Sequence, residues 1–161
     1  MAILDSQSVK VAGQRGKRGF DAGKKVMGRK RHLLVDSQGL ILTAVVHPAN
    51  IQDRIGAKEV LERSWFLGLK RIFADGGYSG TLIGWTRRFF KRAKTVLEIV
   101  PKLGTGFQVL PKRWIVERTF AWLGKFRRLS KDYEVKLSHS EAFLYLAASK
   151  IMLQRLSKSA S

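Results

Sequence analysis

The sequence predicts an α/β domain in which a mixed five-stranded sheet, antiparallel on one side and parallel on the other, carries helices on its faces. Three observations lead there. A chain of 161 residues, 45% of them hydrophobic, can bury one sizeable core and is short for two. Three β-rich segments come first, with no helical pattern between them. Helical and strand patterns then alternate, and strands joined through helices pair in parallel.

Residues 2–9, "AILDSQSV", read as the first strand. Residues 10–31 hold nine Lys or Arg, five Gly and a single acid, Asp21, which predicts a solvated basic loop. "RHLLVDSQGLILTAVV" reads as a hairpin, two apolar β-rich runs joined by the turn-forming "DSQG". "NIQDRIGAKEVLERSWF" has helical spacing, with Asn50 or Asp53 as its N-cap. The run "KRIFADGGY" is a strand stopped by two glycines, and residues 80–94 form an amphipathic, basic stretch. "TVLEIVP" is a strand ended by Pro101, with a loop opening at "GTG" (104–106). Two helices, 112–130 and 139–157, complete the order, the second opened by a capping box of Ser138 and Glu141. No repeat or Pro-rich linker marks a boundary, so residues 1–161 are expected to form a single domain.

Charge narrows the function. Lys plus Arg number 31 against 12 acids, a formal charge of +19, which makes a polyanion the natural partner. Beside the basic loop stand "RRFFKRAK" (87–94) and the group Lys112, Arg113, Arg118, Lys125, Arg127, Arg128 and Lys131. Three such clusters in one small domain argue for nucleic acid. No apolar run approaches the ~18 residues of a membrane span. With no cysteine either, a cytoplasmic protein without disulfide or thiolate chemistry is expected.

Acids are so few that each can be weighed. Asp36 belongs to a turn, Asp53 to a helix start, Glu59 and Glu62 to a solvated face and Glu141 to a cap. Asp5 lies inside the first strand between Leu4 and Ser6, where burial requires pairing, hydrogen bonding or a metal. Asp75 ends a strand directly before two glycines. That suits a catalytic strand end, and equally a turn in which it takes backbone amides. Glu117, at ~100° per residue, faces away from the apolar side of its helix. It stands one turn from Arg113, in the weaker i,i+4 orientation, and could instead complete a site with two strand-borne Asp. Three carboxylates, no Cys and three scattered His (His32, His47, His139) suit Mg²⁺ or Mn²⁺ rather than zinc. Two such ions would support an in-line phosphodiester displacement.

The strings "LDSQSVK", "GKKVMGRKRHLLVDSQGLI", "IQDRIGA", "FADGGYSG", "WIVERTFAWLGKFRRLSKDYE" and "SEAFLYLAASKIML" resemble the catalytic domain of bacterial insertion-sequence DDE transposases, of the insertion-sequence-five type within the four/five superfamily. The resemblance covers nearly all of the chain. It implies a ribonuclease H-like fold, DNA cleavage and strand transfer with two Mg²⁺ or Mn²⁺ ions, and catalytic, metal-binding carboxylates at Asp5, Asp75 and Glu117. It also implies double-stranded DNA partners, transposon ends and target, bound by a homodimer in the nucleoid-associated cytoplasm of a bacterium. Lys24, Lys25, Arg29, Lys30, Arg31, Arg113, Lys125 and Arg128 are then the expected DNA contacts. The superfamily signature Tyr-x2-Arg-x3-Glu-x6-Lys is met in part. Arg113 and Glu117 fit, while Leu110 and Gly124 stand in the Tyr and Lys places, with Lys125 one place later. The usual N-terminal DNA-binding segment is expected to come from another reading frame. The alternatives are a ribonuclease H-like nuclease that cuts without joining, and a non-catalytic or decayed fragment that binds DNA.

Overall fold

A computed structural model describes residues 1–13, 15–100 and 112–159. The chain runs through β1 (Ala2–Lys10), β2 (Gly19–Asp21), β3 (Val26–Asp36), β4 (Ile41–Pro48), α1 (Asp53–Arg63), β5 (Arg71–Asp75), α2 (Thr81–Phe89), β6 (Val96–Val100), α3 (Arg113–Gly124) and α4 (Leu137–Ser159). The sheet order is β2-β3-β1-β5-β6, with β4 also on β3. The pairs β1–β3, β2–β3 and β3–β4 are antiparallel, whereas β1–β5 and β5–β6 are parallel. This is the expected mixed α/β sheet, compatible with a ribonuclease H-like fold, except that it has six strands rather than five.

The extra strand lies in the segment expected to be a solvated loop. β2 and the first half of β3 occupy it, and Arg29, Lys30 and Arg31 are buried at 0%, 5% and 2% exposure. Their charges hide a strand that alternation of apolar residues would otherwise reveal. The hairpin turn is as expected: Asp36 Oδ1 accepts from the amides of Gln38 and Leu40 at 2.8 and 2.9 Å, and Gly39 takes a positive φ of +82°.

Side chains of period two divide the core between the two faces. Leu4, Leu34, Val45, Ile72 and Ala74 meet Ala57, Val60, Leu61 and Leu82 of α1 and α2. On the other face Ile3, Leu33, Val35 and Phe73 meet Ile115, Val116, Phe120, Leu123 and Leu144 of α3 and α4. Odd-numbered residues of β1 and β5 therefore look toward α3.

Three local expectations are corrected. The helix expected over 112–130 stops at Gly124, and a 3₁₀ turn, Arg127–Leu129, follows. Glu141 is no capping residue: α4 starts at Leu137, and the Glu141 carboxylate accepts from the Val46 amide (2.9 Å) and Arg63 Nη1 (2.8 Å), tying α4 to β4 and α1. Gln52, not Asn50 or Asp53, caps α1, without a side-chain bond. Pro101, the loop from 104 and Leu110 lie outside the described residues. No helix among the described residues is long and apolar enough to cross a membrane.

Candidate catalytic centre

Asp5 sits midway along β1 and Asp75 ends β5. The parallel register pairs Ala2 with Ile72 and Ile3 with Phe73. Two residues further along the same register, Asp5 stands level with Asp75, both on the face covered by α3. Both acids lie just past the carboxyl end of the parallel β1–β5 pairing, the side on which α/β sheets gather reactive groups. α3 supplies the third acid. Its buried side, Ile115, Val116, Thr119, Phe120 and Leu123, seats the helix on the sheet and leaves Glu117 turned outward, its side chain 53% exposed.

Arg113, in the first turn of α3, joins the three acids. Its Nε lies 3.4 Å from Asp5 Oδ2 and 3.3 Å from Glu117 Oε1, and its Nη1 lies 3.3 Å from Asp75 Oδ2. The Asp5 and Glu117 oxygens, sharing one nitrogen, can be no further apart than the sum of those distances. The i,i+4 ion pair and the strand-end turn weighed from the sequence are both present, since Asp75 Oδ1 also accepts from the Gly77 amide at 2.9 Å. Neither uses up the second oxygen that Asp75 turns to Arg113.

Asp5 is the buried member, 7% exposed. Burial pushes its carboxyl up from 3.8 to about 6, opposed by Arg113 and the Ser6 amide and reinforced by Asp75. Crowding of acids adds to the shift, but desolvation dominates. The same three acids raise Arg113 above its ordinary value, against the opposing effect of its own burial.

A divalent cation suits this donor set: hard carboxylate oxygens from three elements, aimed at one position that a positive group occupies. Among the described residues, no three acids or imidazoles stand close enough together to form a finished ligand cage. The Arg113 guanidinium lies between the three carboxylates. Binding an ion there requires Arg113 to yield.

Two neighbours escaped the sequence reading. Asp53, taken for a helix cap, accepts from Ser6 Oγ at 3.0 Å and pairs with Lys30 Nζ at 2.9 Å. Ser6 in turn donates its amide to Asp5 Oδ1 at 2.7 Å, so Asp53 fixes the residue that orients Asp5. Tyr78, 1% exposed, holds its hydroxyl 3.5 Å from His32 Nδ1, and burial, reinforced by Asp5, Asp53 and Asp75, pushes its ionisation far up. The only hint in the sequence was its place directly after "DGG".

The basic residues separate sharply. Lys24, Lys25 and Lys125 are exposed, Lys24 reaching the Ser6 carbonyl at 3.1 Å; exposed Arg128 pairs with Glu134 at 2.8 Å. Arg29, Lys30 and Arg31, expected on DNA, are turned inward. Arg29 binds Asp132 Oδ1 (2.8 Å), Ser140 Oγ (2.9 Å) and the carbonyls of Lys17 (2.9 Å) and Val135 (2.8 Å). Arg31 donates to the carbonyls of Leu129 and Lys131 at 2.7 and 3.2 Å. A guanidinium already engaged in the interior has nothing left to offer a phosphate. His32 and His47 are buried with ring centroids 4.7 Å apart, and desolvation lowers both, so they stay neutral.

Comparison with known proteins agrees with this geometry. Residues 1–153 match the family described as "Transposase DDE domain". Over 130 residues, 74% of this chain, the sequence is 31% identical to a putative transposase for insertion sequence element IS402 of Burkholderia cepacia. The chain spans 60% of that relative's length. On the match across almost all of its residues, the chain belongs to the transposase DDE domain family.

Proposed function

We propose that this chain is a metal-dependent polynucleotidyl transferase that cuts DNA at the ends of an insertion sequence and joins those ends to target DNA. The observation that carries the reading is the meeting of Asp5, Asp75 and Glu117 on the Arg113 guanidinium, just past the carboxyl end of the parallel β1–β5 pairing. The family works with divalent metal ions. Here Asp5, Asp75 and Glu117 would hold Mg²⁺ or Mn²⁺, as two ions during the reaction. When bound, the metal supplies Lewis-acid activation of the attacking oxygen and charge stabilisation of the leaving one.

The chain's own residues do the rest. Asp5 is a ligand only when ionised, so its raised pKa sets the acid limit of loading. Ser6 and Asp53 hold its carboxylate in place. Arg113 keeps three like charges together beforehand and is then placed to bond a nonbridging oxygen of the scissile phosphate. His32 and His47 are sealed in the core and cannot serve as base. Exposed Lys24, Lys25, Lys125 and Arg128 are the candidates for backbone contact. Transposon ends and target DNA are the proposed substrates, bound by a homodimer in the bacterial cytoplasm.

Labelled insertion-end duplex incubated with plasmid target and Mg²⁺ tests the reading. Cleaved and joined products are expected. Asp5→Asn, Asp75→Asn and Glu117→Gln should each abolish both steps while the far-ultraviolet dichroism is unchanged. Cutting without joining would make the protein a nuclease. Product formation by the Asp5→Asn variant would remove the metal-site reading.

A further inference from the structure

The second end of α3 carries a feature that neither the core nor the carboxylate cluster uses. Between α3 and α4 lies a groove of about 510 Å³, lined by Trp122, Phe126, Lys125, Lys150, Arg155 and Lys158 among others. Its charged lining is entirely cationic. Among the described residues, none of Arg118, Lys125, Lys150, Arg155 and Lys158 forms an ion pair with a carboxylate.

The cations are held in an ordered way. Arg118 lies over the rings of Trp114 and Trp122 at 4.6 Å each, Arg155 over Trp122 at 4.5 Å, and Lys150 over Phe126 at 5.6 Å. Arg118 and Arg155 also donate to one and the same acceptor, the Gln38 carbonyl in the β3–β4 turn, Arg118 at 2.8 Å and Arg155 at 3.3 and 3.4 Å. Two guanidiniums on one neutral oxygen repel each other, and an anion above them relieves that repulsion. Their planes are fixed by the indoles and the carbonyl, so little side-chain entropy is lost when the anion arrives. With two guanidiniums on the Trp122 ring, the groove is equipped for phosphate rather than for stacked bases.

Position identifies the anion. Lys125, the residue that caps α3, lies eight residues beyond Glu117, about 12 Å along the helix axis at 1.5 Å per residue. We infer that the α3–α4 groove is a phosphate track, in which Lys125, Lys150, Arg155 and Lys158 hold the sugar-phosphate backbone of the DNA whose scissile bond lies at Asp5, Asp75 and Glu117. The inference rests on the proposed function for its substrate, and the groove makes no sequence-specific contact.

The test uses the full chain with Lys150→Gln/Arg155→Gln/Lys158→Gln, and the milder Lys150→Gln/Lys158→Gln, whose two lysines are exposed. Fluorescence anisotropy of labelled duplex DNA is followed over a salt series. Each lost phosphate contact makes the log–log slope shallower by ~0.9, so the triple variant should differ by about 2 to 3 and the double by about 2. Insertion-end and scrambled duplexes should lose affinity equally. Asp5→Asn must leave the slope untouched, so a failed groove and a failed catalytic reading give different results. An unchanged slope in both groove variants overturns the inference. So does displacement of DNA by polyglutamate at equal charge concentration, which would make the occupant an acidic protein segment. A loss confined to insertion-end DNA would equally refute a track that reads no bases.

Discussion

Asp5→Asn should stabilise the protein at neutral pH while destroying its proposed activity. In the folded chain the Asp5 carboxyl is raised from 3.8 to about 6, mainly by burial. Below 3.8 both states carry the proton and the group is neutral to stability. Between 3.8 and about 6 only the folded state retains it, so the native state binds more protons and stability falls as the pH rises. Above about 6 the cost is complete. A shift of roughly two units is worth about 3 kcal/mol at 1.36 kcal/mol each. Urea unfolding of the metal-free protein at pH 4, 5, 6 and 7 should therefore show wild type losing up to about 3 kcal/mol relative to Asp5→Asn across this range. The two curves converge near pH 4. Adding Mg²⁺ at pH 7 should stabilise wild type and leave Asp5→Asn unchanged, because a ligand bound only by the folded state adds its binding free energy. Parallel stability curves, or a variant weaker than wild type at pH 7, would show that burial does not govern this carboxylate.

Three further expectations follow from the same structure. Asp132→Asn leaves the fully buried Arg29 without its counter-charge and should cost about 3 kcal/mol at unchanged urea m-value; a loss below about 1 kcal/mol would mean the carbonyls alone satisfy Arg29. Arg113→Gln removes the group that most lowers Asp5. Its acid limb in a pH–cleavage profile should move to higher pH, and a limb that stays in place would exclude Arg113 from the cluster's electrostatics. Gly56→Ala would set a methyl group against the Nε2 atoms of His47 and His32 where α1 crosses the sheet. Overpacking of this kind costs about 1 to 3 kcal/mol, read as a lowered thermal midpoint; an unshifted midpoint would show that the imidazoles can move aside.

The three acids were legible in the sequence because a chain so rich in cations makes every carboxylate conspicuous, and helical and strand periods assign each one a direction. Their meeting depends on register and on the seat of α3, which local patterns foreshadow through strand order and the apolar side of 113–124. Arg29 and Arg31 were misleading for the opposite reason. A guanidinium looks the same in sequence whether it faces phosphate or a buried carboxylate, and its deciding partner, Asp132, lies 103 residues away. Separation along the chain also concealed Glu141, whose partners, 95 and 78 residues away, sit on β4 and α1 rather than at its own helix end. Asp53 resembled a cap because it stands at a helix start, where nothing local reveals that Ser6 and Lys30 claim it.

The inward-facing arginines have a bearing on how the chain is made. Translation delivers β3 with Arg29 and Arg31 long before Leu129, Lys131, Asp132, Val135 and Ser140 leave the ribosome. Until then Arg29 has only the Lys17 carbonyl of its four partners, and Arg31 has neither of its two. Burying two uncompensated cations is prohibitive, so the sheet cannot close over them early. Nascent chains therefore remain open until the α3–α4 connection arrives, which makes folding of long contact order and slow. A product broken off between Glu117 and Leu129 would keep Asp5, Asp75 and Glu117 yet be unable to form a stable core, so that incomplete copy is inert by the energetics of its own interior.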